Sequence, residues 1–298
     1  MPAVPSEGAR CIVRSVSRQL FARLPALSGR EARVVGRFRR VIDLAVGEEV
    51  IALTTAEVGD GPFHLVLDRL PDARLLPKRL PLHLEGGEWR LGPLTLHLTE
   101  PLSLWDARPD WTSLRPRRSA LLYLREASVE AVAGRPSPFA PYLLTGRMPR
   151  LEALKAAWED EEALLDVVAR LAGRGMGLTP SGDDFIAGMM LALWADRAAL
   201  TPRAAFLYRV AAPRTTLLSR AFLRAARDGL ADAHWQRLLR ALAGGGEAEV
   251  RRAASEALAF GATSGVDMAA GFLFYWFDLG GEGNPHRSPA PGYSLIQS

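Results

Sequence analysis

The chain has 298 residues, 48% of them hydrophobic and 23% charged, a balance that excludes a disordered chain and gives enough material for a well-buried core and for two domains. Basic residues exceed acidic ones by 37 to 33, an excess too small and too scattered for a nucleic-acid-binding surface. Cys11 is the one cysteine, which excludes an intramolecular disulfide or a cysteine-rich zinc site and fits a reducing compartment.

The first residues, MPAVPSEGAR, carry no apolar signal core. The apolar runs Phe185 to Ala195 and Ala269 to Phe277 fall short of the roughly 20 residues a membrane span needs. They read as buried helices, and the expectation is a cytoplasmic protein without a membrane partner.

In chain order, Ile12 to Leu24 reads as opening with a short helix. Short β-branched or alternating runs follow at Ala32 to Phe38, Val41 to Val46, Val50 to Thr54 and Phe63 to Leu67, punctuated by Gly36, Gly47 and the turn Gly59-Asp60-Gly61-Pro62. Leu80 to Leu84, Trp89 to Leu91 and Leu94 to Leu98 alternate around Gly86-Gly87 and Gly92-Pro93, the signature of antiparallel hairpins. His64, His83 and His97 stand singly, without ligand spacing. The composition changes between Trp105 and Arg118, and the period then becomes helical: Ser119 to Val132, Leu151 to Leu171, Ser181 to Arg197, Arg203 to Ala211, Thr215 to Arg227, Ala231 to Leu242, Ala248 to Phe260 and Ser264 to Leu279. The expected fold is α+β: a mostly antiparallel β domain over 1–110, an all-α helical domain over 111–280 and a flexible tail over 281–298.

Chemistry concentrates at Gly173 to Leu191, GRGMGLTPSGDDFIAGMML. A loop with glycines at 173, 175 and 177 runs into a helix that begins with Asp183 and Asp184. Glycine permits backbone angles and close approaches that a side chain forbids, and a helix start leaves amide donors to be satisfied. Either Thr179, with Pro180 at the first helical position, or Ser181 can cap this helix; Ser181 is favoured because its pattern recurs. The recurrence is Ser264-Gly265-Val266-Asp267-Met268-Ala269-Ala270-Gly271, which repeats Ser, Gly, Asp, Ala and Gly of Ser181 to Gly188 at the same spacing. Ser181, Asp184 and Gly188 share one helix face, as do Ser264, Asp267 and Gly271. Facing small residues let helices approach closely, so the two copies are expected to pack together with their N-termini adjacent.

The bland alternative makes the serines caps, the aspartates dipole complements and the glycines packing devices. The loop is neither a dinucleotide fingerprint, since a helix rather than a strand precedes it, nor a Walker A loop. As an anion cradle it faces a conflict of magnitudes. A helix N-terminus offers an anion about 0.3 to 1 kcal/mol, whereas a carboxylate about 6 Å away repels it by roughly 3 kcal/mol at an effective dielectric of 20. An anionic ligand therefore needs Arg174, Arg214, Arg220 or a metal nearby, or else the aspartates grip hydrogen-bond donors such as an amide NH2. Thr215, Thr216 and Ser219 lie between the copies at a further helix start, where capping is the simpler reading. His234 and His286 have no motif context for a Ser-His-Asp arrangement.

GLTPSGDDFIAG, together with the later TTLLS and GATSGVDMAAG, resembles a bacterial family associated with the AllH-type subunit of oxamate carbamoyltransferase. Thr179, Pro180, Ser181, Gly182, Asp183 and Asp184 match its signature position by position, and the likeness before residue 105 is one of general β-rich character. The resemblance implies a multi-subunit enzyme that moves a carbamoyl group between oxamate and phosphate in purine (allantoin) nitrogen breakdown, with carbamoyl phosphate as the high-energy partner. The sequence lacks the Ser-Thr-Arg-Thr-type loop of the aspartate and ornithine transcarbamoylases, so their mechanism does not transfer.

On these grounds Asp183, Asp184 and Asp267 are the candidate catalytic residues. Gly175, Gly177, Thr179, Ser181, Gly182, Arg214, Thr215, Thr216, Ser219, Thr263, Ser264 and Gly265 are the candidate substrate-binding residues. The expected ligand is a small anionic amide, the expected partners are the other subunits, and no cofactor is expected. Two alternatives stay open: a metal-dependent hydrolase with Asp183, Asp184 and Asp267 as ligands of a divalent cation, and a non-catalytic binding or scaffold subunit.

Overall fold

The computed structural model describes residues 9–98, 101–196 and 200–280; the expected tail over 281–298 lies outside them. An N-terminal β-barrel is followed by a helical region. The strands are β1 (Ala9–Ser17), β2 (Glu31–Arg37), β3 (Ile42–Val46), β4 (Glu49–Thr55), β5 (His64–Leu67), β6 (Arg79–Glu85), β7 (Glu88–Leu91), β8 (Leu94–His97) and β9 (Ser103–Trp105). Their order is β5-β4-β3-β2-β6-β7-β8-β1, and pairing of β1 with β5 closes the ring while β9 runs beside β1.

The expected hairpins form: Gly86 and Gly87 both take positive φ between β6 and β7, and Gly92 does so between β7 and β8. The barrel is mixed, however, rather than mostly antiparallel. β1 runs parallel to β8 and β9, and β4 runs parallel to β5. The turn Gly59–Pro62 between β4 and β5 returns the chain parallel rather than as a hairpin, and β1 meets β8 and β9 only after most of the barrel has intervened, so short-range sequence cues miss both pairings. The expected opening helix is likewise replaced by β1, whose alternation buries Cys11 and Val13 while Ile12 stays 36% exposed. Only the turn α1 (Arg18–Phe21) is helical there, capped by the Ser17 hydroxyl, which accepts from the Leu20 amide.

Inside the barrel, Leu44, Ile51, Leu53, Leu65 and Leu67 interlock with Val13, Leu80, Leu82 and Trp89. The alternate residues of β3, β4 and β5 therefore face outward. Val50, Ala52 and Phe63 pack there on Leu218 and Ala221 of the helical region.

The helices are α2 (Arg118–Val132), α3 (Ala140–Thr145), α4 (Pro149–Ala157), α5 (Glu161–Leu171), α6 (Ser181–Asp196), α7 (Leu200–Ala211), α8 (Leu217–Arg227), α9 (Ala233–Gly244), α10 (Glu247–Leu258) and α11 (Ser264–Phe274), the last continued by a π-helical turn, Tyr275–Leu279. The stretch expected as one helix from Leu151 to Leu171 is two, because the Asp160 carboxylate accepts from the amides of Glu162 and Ala163 and starts α5 afresh. α3 arises where prolines had suggested only separators; proline at its first turn costs it no hydrogen bond. α6 is buried on all sides except at Trp194, and α11 except at Met268. A helix that is apolar all round belongs in the centre of a bundle.

Candidate functional site

α6 and α11 cross with their backbones in contact. A Cβ on Gly188 would sit 1.9 Å from the Met268 carbonyl oxygen, and one on Gly271 would sit 1.9 Å from that of Phe185. The contact is reciprocal, as two copies of one motif related by a local two-fold would give. A parallel pair of close contacts lies nearly two turns earlier, each to a different helix. Gly182 packs on the Leu171 carbonyl at the end of α5, and Gly265 packs on the Ala257 carbonyl in the last turn of α10. The N-termini meet as the repeat implies, with the Thr179 and Ser264 hydroxyls 3.1 Å apart.

Neither serine is a cap. α6 begins at Ser181, and the Asp183 and Asp184 amides donate to the Pro180 carbonyl at 2.9 and 3.2 Å, so the position before the first turn belongs to Pro180. The Gly182 amide donates to Arg174 O at 2.8 Å, and the Gly265 amide to Phe260 O at 3.0 Å. Each loop folds back onto its own helix start and leaves the serine side chain free for the partner copy. A Cβ at Gly175 would come within 2.5 Å of the Ser181 nitrogen, and φ of +131° there is open only to glycine. Gly177, at φ +89°, meets nothing within 4 Å.

Asp183 holds this loop together. One carboxylate oxygen accepts from the Gly173 amide at 2.8 Å, and the other from the hydroxyls of Thr215 and, at 2.9 Å, Ser219. Thr216 caps α8, accepting from the Ser219 amide, and its hydroxyl donates to the Leu178 carbonyl. Thr215, Thr216 and Ser219 thus clamp the glycine loop to α8. Arg214 turns away, donating to Val210 O at 2.7 Å. Arg174 donates to Arg170 O, and Arg220 donates to Ala212 O and Glu48. None of the three arginines sought as anion partners lines the cleft between the barrel and the helical region.

Asp184 and Asp267 are different. Each is buried, and each has one carboxyl oxygen, Oδ2, with no hydrogen-bond partner. Burial holds the pKa of Asp184 well above the usual carboxylate range, opposed by the Ser264 hydroxyl and reinforced by the charges of Asp267 and Asp183. Burial also raises Asp267, opposed by the hydroxyls of Ser137, Ser181 and Thr263. The repeat is therefore crossed: the serine of each copy acts on the aspartate of the other. Ser137, just before α3, donates to Asp267 at 2.5 Å; nothing in its sequence context marks it. A carboxyl whose pKa burial raises resists ionisation and so repels an anion less than an ordinary carboxylate does, which eases the conflict of magnitudes met in the sequence.

Above this pair lies a cleft of about 580 Å³ between the barrel and the helical region. Gly177, Thr179, Thr263 and Ser264 line it, together with Met176 and Leu178. The amides of Met176, Gly177, Leu178 and Thr179 donate to no group among the described residues. The opposite wall is the barrel: Phe38, Arg40, Asp43, Ala52, Phe63 and His64. None of these residues is among the candidates from sequence, where His64 stands singly without ligand spacing. One signal was present, a single carboxylate inside the apolar strand Ile42-Asp43-Leu44-Ala45-Val46. Gly175, Ser181, Gly182, Gly265 and the Asp183 clamp shape the site from behind and do not line it.

Among the described residues, no group of three or more His, Cys, Asp or Glu side chains is arranged to hold a metal ion. The oxygens of Asp183 are occupied by Gly173, Thr215 and Ser219, so the three aspartates do not form a ligand set. No helix among the described residues is long and apolar enough to cross a membrane.

The model of a protein family described as oxamate carbamoyltransferase subunit AllH matches residues 171–276. The match runs from the end of α5 into the π-helical turn and takes in the glycine loop, the Asp183 clamp and both copies of the repeat. It bears out the resemblance over that segment, and the barrel lies outside it. No curated protein and no solved structure matches the chain.

Proposed function

We propose that this chain is a subunit of an oxamate carbamoyltransferase-like complex of purine (allantoin) nitrogen breakdown, and that the cleft above Asp184 and Asp267 takes its small anionic amide. The observation that carries the reading is the pair of buried carboxyls with unpartnered oxygens, set beneath the Thr179–Ser264 contact within the matched segment.

The reaction needs such a group. When phosphate attacks oxalurate, a phosphate oxygen bonds to the carbamoyl carbon, the bond from that carbon to the oxamate nitrogen breaks, and the nitrogen must receive a proton. Asp184, whose pKa burial raises, is the donor, and the Ser264 hydroxyl connects it to the cleft. In the reverse direction it takes the proton back. The unpaired amides of Met176 to Thr179 receive the carboxylate or phosphate. Asp183 acts as a positioning residue, fixing the loop through Gly173, Thr215 and Ser219. The metal-dependent alternative finds no ligand set to support it.

The test follows phosphate-dependent breakdown of oxalurate by the isolated chain, by the chain co-expressed with its genomic neighbours, and by that complex carrying Asp184→Asn. Transfer is expected from the assembled complex, with little from the isolated chain and a loss of two or more orders of magnitude in the variant. A folded, assembled variant that stays fully active removes Asp184 from catalysis. A wild-type complex inactive with every carbamoyl donor and acceptor tried removes the carbamoyltransferase reading.

A further inference from the structure

The outward face of the barrel carries a row of four residues in register across four strands: Gly36 opposite Asp43, Asp43 opposite Ala52, and Ala52 opposite His64. Asp43, Ala52 and His64 line the cleft. The two flanking residues, Gly36 and Ala52, are small. A Cβ on Gly36 would lie 2.6 Å from a carboxylate oxygen of Asp43 and 2.8 Å from the Phe38 ring. Gly36 and Ala52 thus form a notch in which Asp43 sits 3% exposed, and no hydrogen bond or ion pair ties it to any described residue. A buried carboxyl without a partner destabilises a fold, and one aimed into a cleft awaits a donor from outside the chain.

His64 completes the row. Its Nδ1 lies 2.9 Å from the Gly59 carbonyl, and a carbonyl only accepts, so Nδ1 carries the proton. Burial lowers the pKa of the ring, and in the neutral ring Nε2 is the acceptor. Asp43 and His64 thus line the cleft on either side of Ala52.

We propose that Asp43 and His64 read the ligand, accepting hydrogen bonds from the N–H groups of a carboxamide or ureido moiety. The assignment deepens the reading above and rests on it only for the choice of probes. It gives the barrel a function: the helical repeat supplies the buried acid and the free amides, and the barrel supplies the acceptors that tell an amide nitrogen from an isosteric oxygen.

The other charged groups around the notch are engaged. Arg40 pairs with Glu57 at 3.4 Å, Glu256 with Arg237 at 2.9 Å, and His234 lies 3.0 Å from the Val58 carbonyl. The cross-strand neighbours of Asp43, Gly36 and Ala52, do not titrate. Asp43 itself is pushed up to about 6 by burial, so binding of an N–H donor weakens as the pH falls through that value.

The experiment measures binding to the full chain by calorimetry, using oxamate, oxalurate, acetamide and urea, with oxalate as the probe that lacks N–H donors. Wild type is compared with Asp43→Ala, which removes the acceptor without overfilling the notch, and with Asp43→Asn, which keeps the size and replaces one carboxylate oxygen with a donor. At about pH 8 the variants are expected to lose roughly ten-fold or more in affinity for oxamate relative to oxalate, which lacks N–H donors and gains from removal of the carboxylate charge. The fall in wild-type affinity toward about pH 5 should be absent in Asp43→Asn. If both variants bind oxamate like wild type, the assignment is overturned and the carbamoyltransferase reading stands. If wild type ignores oxamate and oxalurate but binds acetamide or urea in an Asp43-dependent way, the assignment stands and that reading falls. If no N–H probe binds to the full chain or to the co-expressed complex, both fall.

Discussion

Gly188 lies so close to Met268 that a side chain is impossible there: the Cβ would sit 1.9 Å from the Met268 carbonyl oxygen, which is backbone and cannot rotate away. Gly188→Leu should therefore cost at least about 1 to 3 kcal/mol, the usual penalty for overpacking a close-packed core, and Gly271→Leu should match it through Phe185. Gly244, in the last turn of α9, has open space around its missing Cβ, so Gly244→Ala should be neutral or gain up to about 1 kcal/mol of helix propensity. Urea unfolding of the three variants measures this. Equal stability of all three would remove the crossed-helix packing.

Asp183 and Asp184 are neighbours in sequence with opposite consequences for stability. Asp183→Ala strands the Gly173 amide and the hydroxyls of Thr215 and Ser219, which should cost about 3 kcal/mol or more. Asp184→Asn removes a carboxyl whose Oδ2 has no partner and should leave the midpoint unchanged or higher. Denaturant midpoints ranked the other way would reverse the two roles.

Stability should fall as pH rises through the range in which the buried carboxyls ionise. Asp43, Asp183, Asp184 and Asp267 all have raised folded-state pKa values. Between the unfolded value near 3.9 and the folded value, the native state binds more protons than the unfolded chain, so the slope of stability against pH is negative. For Asp43, raised to about 6, the window spans about two units and roughly 3 kcal/mol. His64, with its pKa lowered by burial, opposes this at the acid end. The difference between wild type and Asp43→Asn isolates the carboxyl. The variant should melt higher at about pH 8, and the gap should close toward about pH 4.

Mg2+ or Mn2+ should leave the melting temperature of the chain unchanged, because the oxygens of Asp183 are already engaged within the fold. Melts with and without each cation decide this. A rise that Asp184→Asn abolishes would restore the metal-dependent reading.

Much of the site was legible because it is local. Gly175 and Gly177 announce a loop at positive φ, and the Ser-Gly-x-Asp copies announce paired helices, since a repeated small-residue face has to meet its counterpart. What a single chain segment does not show is which oxygen each carboxylate is left with. Asp183 and Asp184 read alike in sequence, but one helical step of about 100° turns the first toward Gly173, Thr215 and Ser219 and the second toward Ser264 and Asp267. The cap at Ser181 was misread for a related reason. The Pro180 carbonyl and the Arg174 carbonyl, brought back by the loop, satisfy the helix start without any side chain.

Alternation and turn chemistry in the sequence determined most of the barrel strands and their hairpins, and helical period determined the bundle that follows, because both depend on neighbours within a few residues. The sequence also determined the α6–α11 pair, since its two glycine faces tolerate no other partner at that distance. Tertiary structure alone decided that β1 closes the barrel between β8 and β5, that the outward row Asp43–Ala52–His64 faces the loop of Gly177 and Thr179, and that the cleft lies between them. Those relationships join residues far apart in the chain, and they are set by which surfaces exclude water together rather than by any local preference of the chain.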